Sequence, residues 1–236
     1  MMSSPVMAEC EDPPAPRVNW FGCDKSGQDL SGANLEHAVL IRANLENTNF
    51  SNARMDFVDM DSADLKHAIF TKASMRNANL VGVKADAADF SSARMKACSF
   101  SAAQLNKAVF KQARLDDCRF YSAQLEGADF TGASLEKTSF EQTKMYGAIL
   151  DGVKADQVSF KQADLETASF KKARLQKSRF DKASLVDANF TAADISKSWL
   201  AGAIIDGAVF DKTILSDANW VDYTRCRSGA VGVCRD

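Results

Sequence analysis

Chemistry in a protein needs acids, bases, nucleophiles or metal ligands brought together, and in this sequence the candidates are few. Two histidines, His37 and His67, stand at outward polar positions with no insertion nearby that would build a pocket around them. The cysteines are Cys10, Cys23, Cys98, Cys118, Cys226 and Cys234, and none forms the CxxC pair of a zinc site. Glycines come one at a time, as at Gly32, Gly82 and Gly127, and not in the clusters that cradle phosphates. We therefore expect no catalytic residue, no metal site and no cofactor. On this reading the chain is not an enzyme and takes no small-molecule substrate.

Charge and hydropathy narrow the classes further. The 236 residues carry 29 Lys and Arg against 31 Asp and Glu, a net charge of -2, without the dense basic footprint of a nucleic-acid binder. No run of about 18 apolar residues occurs, so no membrane span is expected. The N-terminus also lacks the apolar stretch of a secretory signal. Pro5, Pro13, Pro14 and Pro16 are the only prolines, and all precede residue 17. Their absence afterwards suits a continuous backbone ladder, because proline removes a donor wherever it stands.

The positions of the large apolar residues decide the architecture. Every fifth residue from Leu30 to Trp220 is large and apolar except Ala85 and Ala155. Two residues before each centre sits a small side chain, most often Ala, and Asp or Asn often stands between them, as in Ala33-Asn34-Leu35, Ala63-Asp64-Leu65 and Ala163-Asp164-Leu165. A period of five fits neither a helix nor a flat strand, because on either the large residues would wander around the element. A stacked coil that turns a corner every five residues buries all of them.

This A(D/N)LXX unit, unbroken from about residue 28 to 222, resembles the pentapeptide-repeat family. The resemblance implies an all-β, right-handed quadrilateral β-helix, a solenoid of about ten four-sided coils. We expect a lead-in and cap over 1–27, the β-helix over 28–222 and a capping tail over 223–236. With four units per coil, Phe50, Phe70, Phe90, Phe110, Phe130, Phe170, Phe190 and Phe210 share one column, and Phe100, Phe120, Phe140, Phe160 and Phe180 the opposite one. Offset stacking is expected along each. In Gly82-Val83-Lys84-Ala85 and Gly152-Val153-Lys154-Ala155 the corner and centre trade size, which reads as volume compensation or as a functional notch.

The ends of such a coil expose core and unpaired backbone, so the flanks must cap them. One terminal cysteine pair at each end reads as two local disulfides, Cys10 with Cys23 and Cys226 with Cys234, or as four reduced thiols of a cytosolic protein. The closing segment Cys226-Arg-Ser-Gly-Ala-Val-Gly-Val-Cys234 is similar to that of exported bacterial members of the family. The compartment stays open between the cytoplasm and, if a signal has been removed, the periplasm or exterior. Trp199, Ile204, Val209 and Ile214 occupy consecutive outward positions that are mostly polar elsewhere. They form an apolar belt, either a homodimer contact or the seat of the tail under Tyr223 and Val231.

Arg54, Arg94, Arg114, Lys154 and Arg174 line one outward row with Asp56, Asp116, Glu136 and Asp156 beside it. This reads as cross-coil ion pairing, with a phosphate-binding stripe as the alternative. Another face carries Glu46, Asp64, Asp86, Glu126, Asp164, Glu166, Asp187 and Asp206 among lysines. The functional expectation is a non-enzymatic scaffold or protein-interaction module with an unidentified protein partner, no nucleic acid and no membrane. The alternative implied by the resemblance is duplex-DNA mimicry that binds gyrase and protects it from quinolones. Near-neutral faces and the lack of projecting loops argue against it, since a mimic must approach one negative charge per about 1.7 Å.

Overall fold

A computed structural model describes residues 10–234. Residues 1–9, with Pro5, and residues 235–236 of the tail lie outside the described residues.

From Asn19 to Asn219 the chain makes isolated parallel bridges between residues 20 apart, in four columns that begin at Asn19, Asp24, Asp29 and Asn34. One turn of the β-helix therefore takes twenty residues. A regular five-residue unit holds three backbone bonds to neighbouring coils and one that closes its own corner. Around Leu35, the Leu35 amide donates to the Arg54 carbonyl at 2.7 Å, the His37 amide to Asp56 at 3.0 Å, and the Ala38 amide back to Leu35 at 3.0 Å. Val39 then donates to Val18 at 2.9 Å.

The corner is a turn whose second central residue has positive φ, such as His37 at 58° and Phe57 at 61°. Left-handed backbone costs a residue with a Cβ about 1 kcal/mol or more. It persists here because the same residue's amide is held by a carbonyl on the next coil. Asp and Asn before the centre have a matching purpose. The first turn residue's amide is outside the ladder, and the neighbouring side chain takes it, as Asn49 Oδ1 accepts from Ser51 at 3.0 Å and Asp89 Oδ1 from Ser91 at 2.8 Å. Where an acid stands after the centre it serves the coil above instead, as Asp116 does for the Glu136 amide.

Small residues fill the corners because the chain folds back on itself there. Hydroxyls are tolerated when they reach a carbonyl a coil away: Thr138 Oγ1 donates to Leu115 at 2.7 Å and Ser198 Oγ to Leu175 at 2.8 Å. Cys98 and Cys118 occupy corners on neighbouring coils, unpaired and buried, with their thiols directed at the Met75 and Met95 carbonyls. Burial, with Cys98 alongside, pushes the Cys118 thiol well up, so it is not poised as a nucleophile.

The centres form the core. Phe50, Phe70, Phe90, Phe110 and Phe130 stack with centroids 4.8–5.0 Å apart, and Phe170, Phe190 and Phe210 continue beyond Leu150. Phe100, Phe120, Phe140, Phe160 and Phe180 make the second stack at 4.8–5.2 Å. The two stacks also meet edge to face, as Phe100 does Phe110 at 5.9 Å and Phe170 does Phe180 at 6.0 Å. From Phe90 onward each ring thus has a parallel neighbour along its column and a perpendicular one across the core, both favourable for the aromatic quadrupole, whereas Phe50 and Phe70 only stack. Val83, Ala85, Val153 and Ala155 are all fully buried, and the corner bonds of Val83 and Val153 are stretched to 3.5 Å where the larger side chain enters the turn.

The ladder starts earlier than the sequence boundary at residue 28. Val18-Asn19-Trp20 and Cys23-Asp24-Lys25 are regular units, with Trp20 fully buried and Lys25 at a core centre, its ammonium 4.3 Å from the Trp20 ring centroid. The charged centre hides the register. A cation over an indole face lets Lys25 act as a plug whose stem is apolar.

Candidate functional site

The C-terminal end is where the regular pattern stops, and it stops unevenly. After Trp220 the chain turns back and its tail makes two antiparallel bridges, Asn219 with Arg225 and Ile214 with Val231. Leu215 donates to Ala230 at 2.9 Å, Cys226 to Ala218 at 2.9 Å and Gly232 to Thr213 at 2.9 Å. Cys226 is fully buried and joined to Cys234, and at the other end Cys23, also buried, is joined to Cys10.

Among the described residues the tail bridges only the first and fourth columns. The second ends at Ile204 and the third at Val209, with no bridge beyond them among the described residues. Among the described residues the amides of Ile205, Gly207, Phe210 and Lys212, which one coil earlier would all donate onward, find no backbone acceptor, and the Ala203 and Ala208 carbonyls accept no backbone bond. Ile205 and Phe210, both core centres, are only partly buried.

The four residues of the apolar belt therefore fall into two kinds. Ile214 lies beside Val231 of the tail, and Trp199 pairs with Asn219 on the coil above it. Ile204 and Val209 stand on the open edge. Exposures are 40% for Trp199, 53% for Ile204, 42% for Val209 and 41% for Ile214. Tyr223 is 75% exposed.

The arginine row lies in the fourth column and follows a diagonal rule. A residue after the centre on one coil meets a residue before the centre 18 positions later: Glu36 with Arg54 at 2.7 Å, Asp56 with Ser74 at 2.7 Å, Asp116 with Ser134 at 2.5 Å, and Asp156 with Arg174. Burial pulls the Asp56 carboxyl up, but the Arg76 guanidinium, the Ser74 hydroxyl and the Arg76 amide outweigh it and hold its pKa below the usual carboxylate value. His37, which offers the chain one of its two imidazoles, stacks on Phe57 at 4.8 Å across neighbouring corners. Among the described residues no group of three His, Cys, Asp or Glu could hold a metal. No helix among them is long and apolar enough to cross a membrane.

With this geometry in place, the family follows from comparison. The profile of pentapeptide repeats matches residues 29–66 and 59–96, and that of the pentapeptide repeat region matches residues 82–150 and 130–220. The chain belongs to the pentapeptide-repeat family. Its fold is accordingly a right-handed β-helix. Among solved structures, this pentapeptide-repeat chain is similar to HetL, a pentapeptide repeat protein involved in heterocyst differentiation regulation from the cyanobacterium Nostoc sp. strain PCC 7120. The two are 23% identical over 89% of this chain and 92% of HetL, with a TM-score of 0.50. It is also similar to a trypsin-treated form of QnrB1, a plasmid-mediated fluoroquinolone resistance protein, at 18% identity over 79% of this chain and 88% of QnrB1, with a TM-score of 0.55. At those identities the likeness concerns the fold alone. No curated protein matches the sequence significantly.

Proposed function

We propose that this pentapeptide-repeat chain is a non-enzymatic scaffold, a quadrilateral rod of about ten four-sided coils and roughly 45–50 Å, that binds a protein through its C-terminal coil. A second copy of the same chain is the occupant we favour. The observation that carries this reading is the half-open end, where Ile204 and Val209 flank an edge with unused donors at Ile205, Gly207, Phe210 and Lys212 and unused acceptors at Ala203 and Ala208. An edge that offers both kinds of group beside an apolar row is self-complementary, which is what a two-fold contact requires. Disulfides at both termini support residence in an oxidising compartment. The likeness to QnrB1 does not bring quinolone protection with it, since ion pairs of both signs lace the faces instead of a carboxylate array.

Light scattering coupled to size-exclusion chromatography tests the proposal. The wild-type chain is expected at twice its 25.7 kDa mass and the Ile204→Ser, Val209→Ser double variant at the single mass. Both side chains are exposed, so their loss should leave the fold within about 0.5 kcal/mol. A wild-type monomer at every concentration, or a variant that remains dimeric, would overturn the proposed contact.

A further inference from the structure

The diagonal rule of the fourth column fails at two consecutive places. Where an acid should face a base or hydroxyl, Arg76 faces Arg94 and Lys96 faces Arg114, each pair again 18 residues apart. Two of these cations find carboxylates elsewhere: Arg76 reaches Asp56 at 2.5 Å and Lys96 reaches Asp117 at 3.6 Å. Arg94 and Arg114 have neither an ion pair nor a side-chain hydrogen bond among the described residues, although Arg54 and Arg174 of the same row are both paired. Asp116, the acid that lines the same recess, is engaged by the Ser134 hydroxyl at 2.5 Å and the Glu136 amide at 3.1 Å.

Arg94 and Arg114 bridge each other directly, so they stand one coil apart, at about the 4.8 Å spacing of paired strands. Like charges opposed across a ladder are destabilising. The same residues, with Arg76, Lys96, Met95 and Asp116, line a surface concavity of about 350 Å³. A recess edged by four cations, two of them unneutralised, is an arrangement that an anion completes.

We propose that this recess binds a phosphate-type oxyanion, clamped between the Arg94 and Arg114 guanidiniums. A planar carboxylate is satisfied by one guanidinium fork. A tetrahedral phosphoryl group presents oxygens in more than one plane and can be shared by two forks stacked one above the other. The site is independent of the C-terminal end and stands whether or not that end self-associates. The phosphoryl group could come from a free phosphorylated metabolite or from a phosphorylated side chain.

Titration calorimetry on the full chain at low ionic strength, with inorganic pyrophosphate and a phosphoserine peptide as separate probes, tests the site. Arg94→Gln with Arg114→Gln is compared with Arg54→Gln with Arg174→Gln, which removes the same charge from the same column. The first variant is expected to bind at least about tenfold more weakly than wild type, the second to change by less than about twofold. Thermal unfolding in phosphate-free buffer checks that the first variant is folded, and its midpoint is expected to equal or exceed that of wild type because repulsion is relieved. Tighter binding of pyrophosphate assigns a free metabolite, and tighter binding of the peptide a phosphorylated partner. Wild type that binds neither probe below about 1 mM, or a control variant weakened as much as the site variant, would overturn the proposal.

Discussion

At the N-terminal end all four centres of the first turn, Trp20, Lys25, Leu30 and Leu35, are buried, whereas at the C-terminal end Leu215 is buried but Ile205, Phe210 and Trp220 are not fully covered. The backbone edges are similar. Asp24, Asp29 and Asn34 also have amides without backbone acceptors among the described residues. What differs is the side chain carried at the edge. Asn19, Asp24, Asp29 and Asn34 face outward at the start of the four columns, and Ile204, Val209, Ile214 and Asn219 at their ends. Charge on an exposed edge deters another chain from adding to the ladder, and branched apolar residues invite it. The same coil thus ends once in a closed, polar terminus and once in a half-covered, apolar one.

The sharpest way to break this comparison is to remove the indole on which the Lys25 plug rests. Trp20→Ala should cost about 3–5 kcal/mol in denaturant unfolding, because a fully buried indole leaves a cavity and its cation loses its partner. Phe210→Ala at the open end should cost about half as much, since its ring is already partly in water. Equal costs would mean that the two ends are closed alike.

Opening the disulfides gives a smaller effect of similar size at both ends but with different consequences. Loops of 13 and 8 residues each contribute about 2–3 kcal/mol by chain entropy. Cys226→Ser should additionally raise dye binding to exposed apolar surface, because the tail held by Cys226 covers part of the core, and Cys10→Ser should raise it less. Acid should produce the mildest change. The Ser26 amide and hydroxyl hold Asp24 below the usual carboxylate pKa, and the Thr224 hydroxyl and amide do the same for Asp222. A carboxylate depressed on folding stabilises above its unfolded value of about 3.9, and that contribution is lost as pH falls through the folded value. Thermal midpoints should therefore be flat from neutrality down to about pH 4 and decline below it, with both ends fraying together.

Much of the architecture is written in the residues. The apolar centres, the small corners, the Asp and Asn that serve the turn amides and the two phenylalanine columns all follow from one short period, since each position has a single environment repeated along the chain. The first coil is harder to see because Lys25 stands where a large apolar residue is expected, although Val18, Trp20 and Cys23 are in register. The edge-to-face contacts between columns depend on ring rotation and leave no mark on the period. The partial cover at the C-terminus depends on how far a non-repetitive tail folds back, which composition does not encode. The 18-residue diagonal is legible in principle. Once Glu36 and Arg54 are seen to meet, the cationic pairs at Arg76 with Arg94 and Lys96 with Arg114 stand out in the sequence itself.

Amide hydrogen exchange, followed in dilute and in concentrated protein, tests most directly whether the C-terminal end is half open and serves as a contact. In dilute monomer the amides of Ile205, Gly207, Phe210 and Lys212 should exchange fast while those of Leu215 and Gly232 are protected, and the first four should gain protection as concentration rises. Protection of all six in the dilute monomer would contradict the account, as would fast exchange of the four that concentration leaves unchanged.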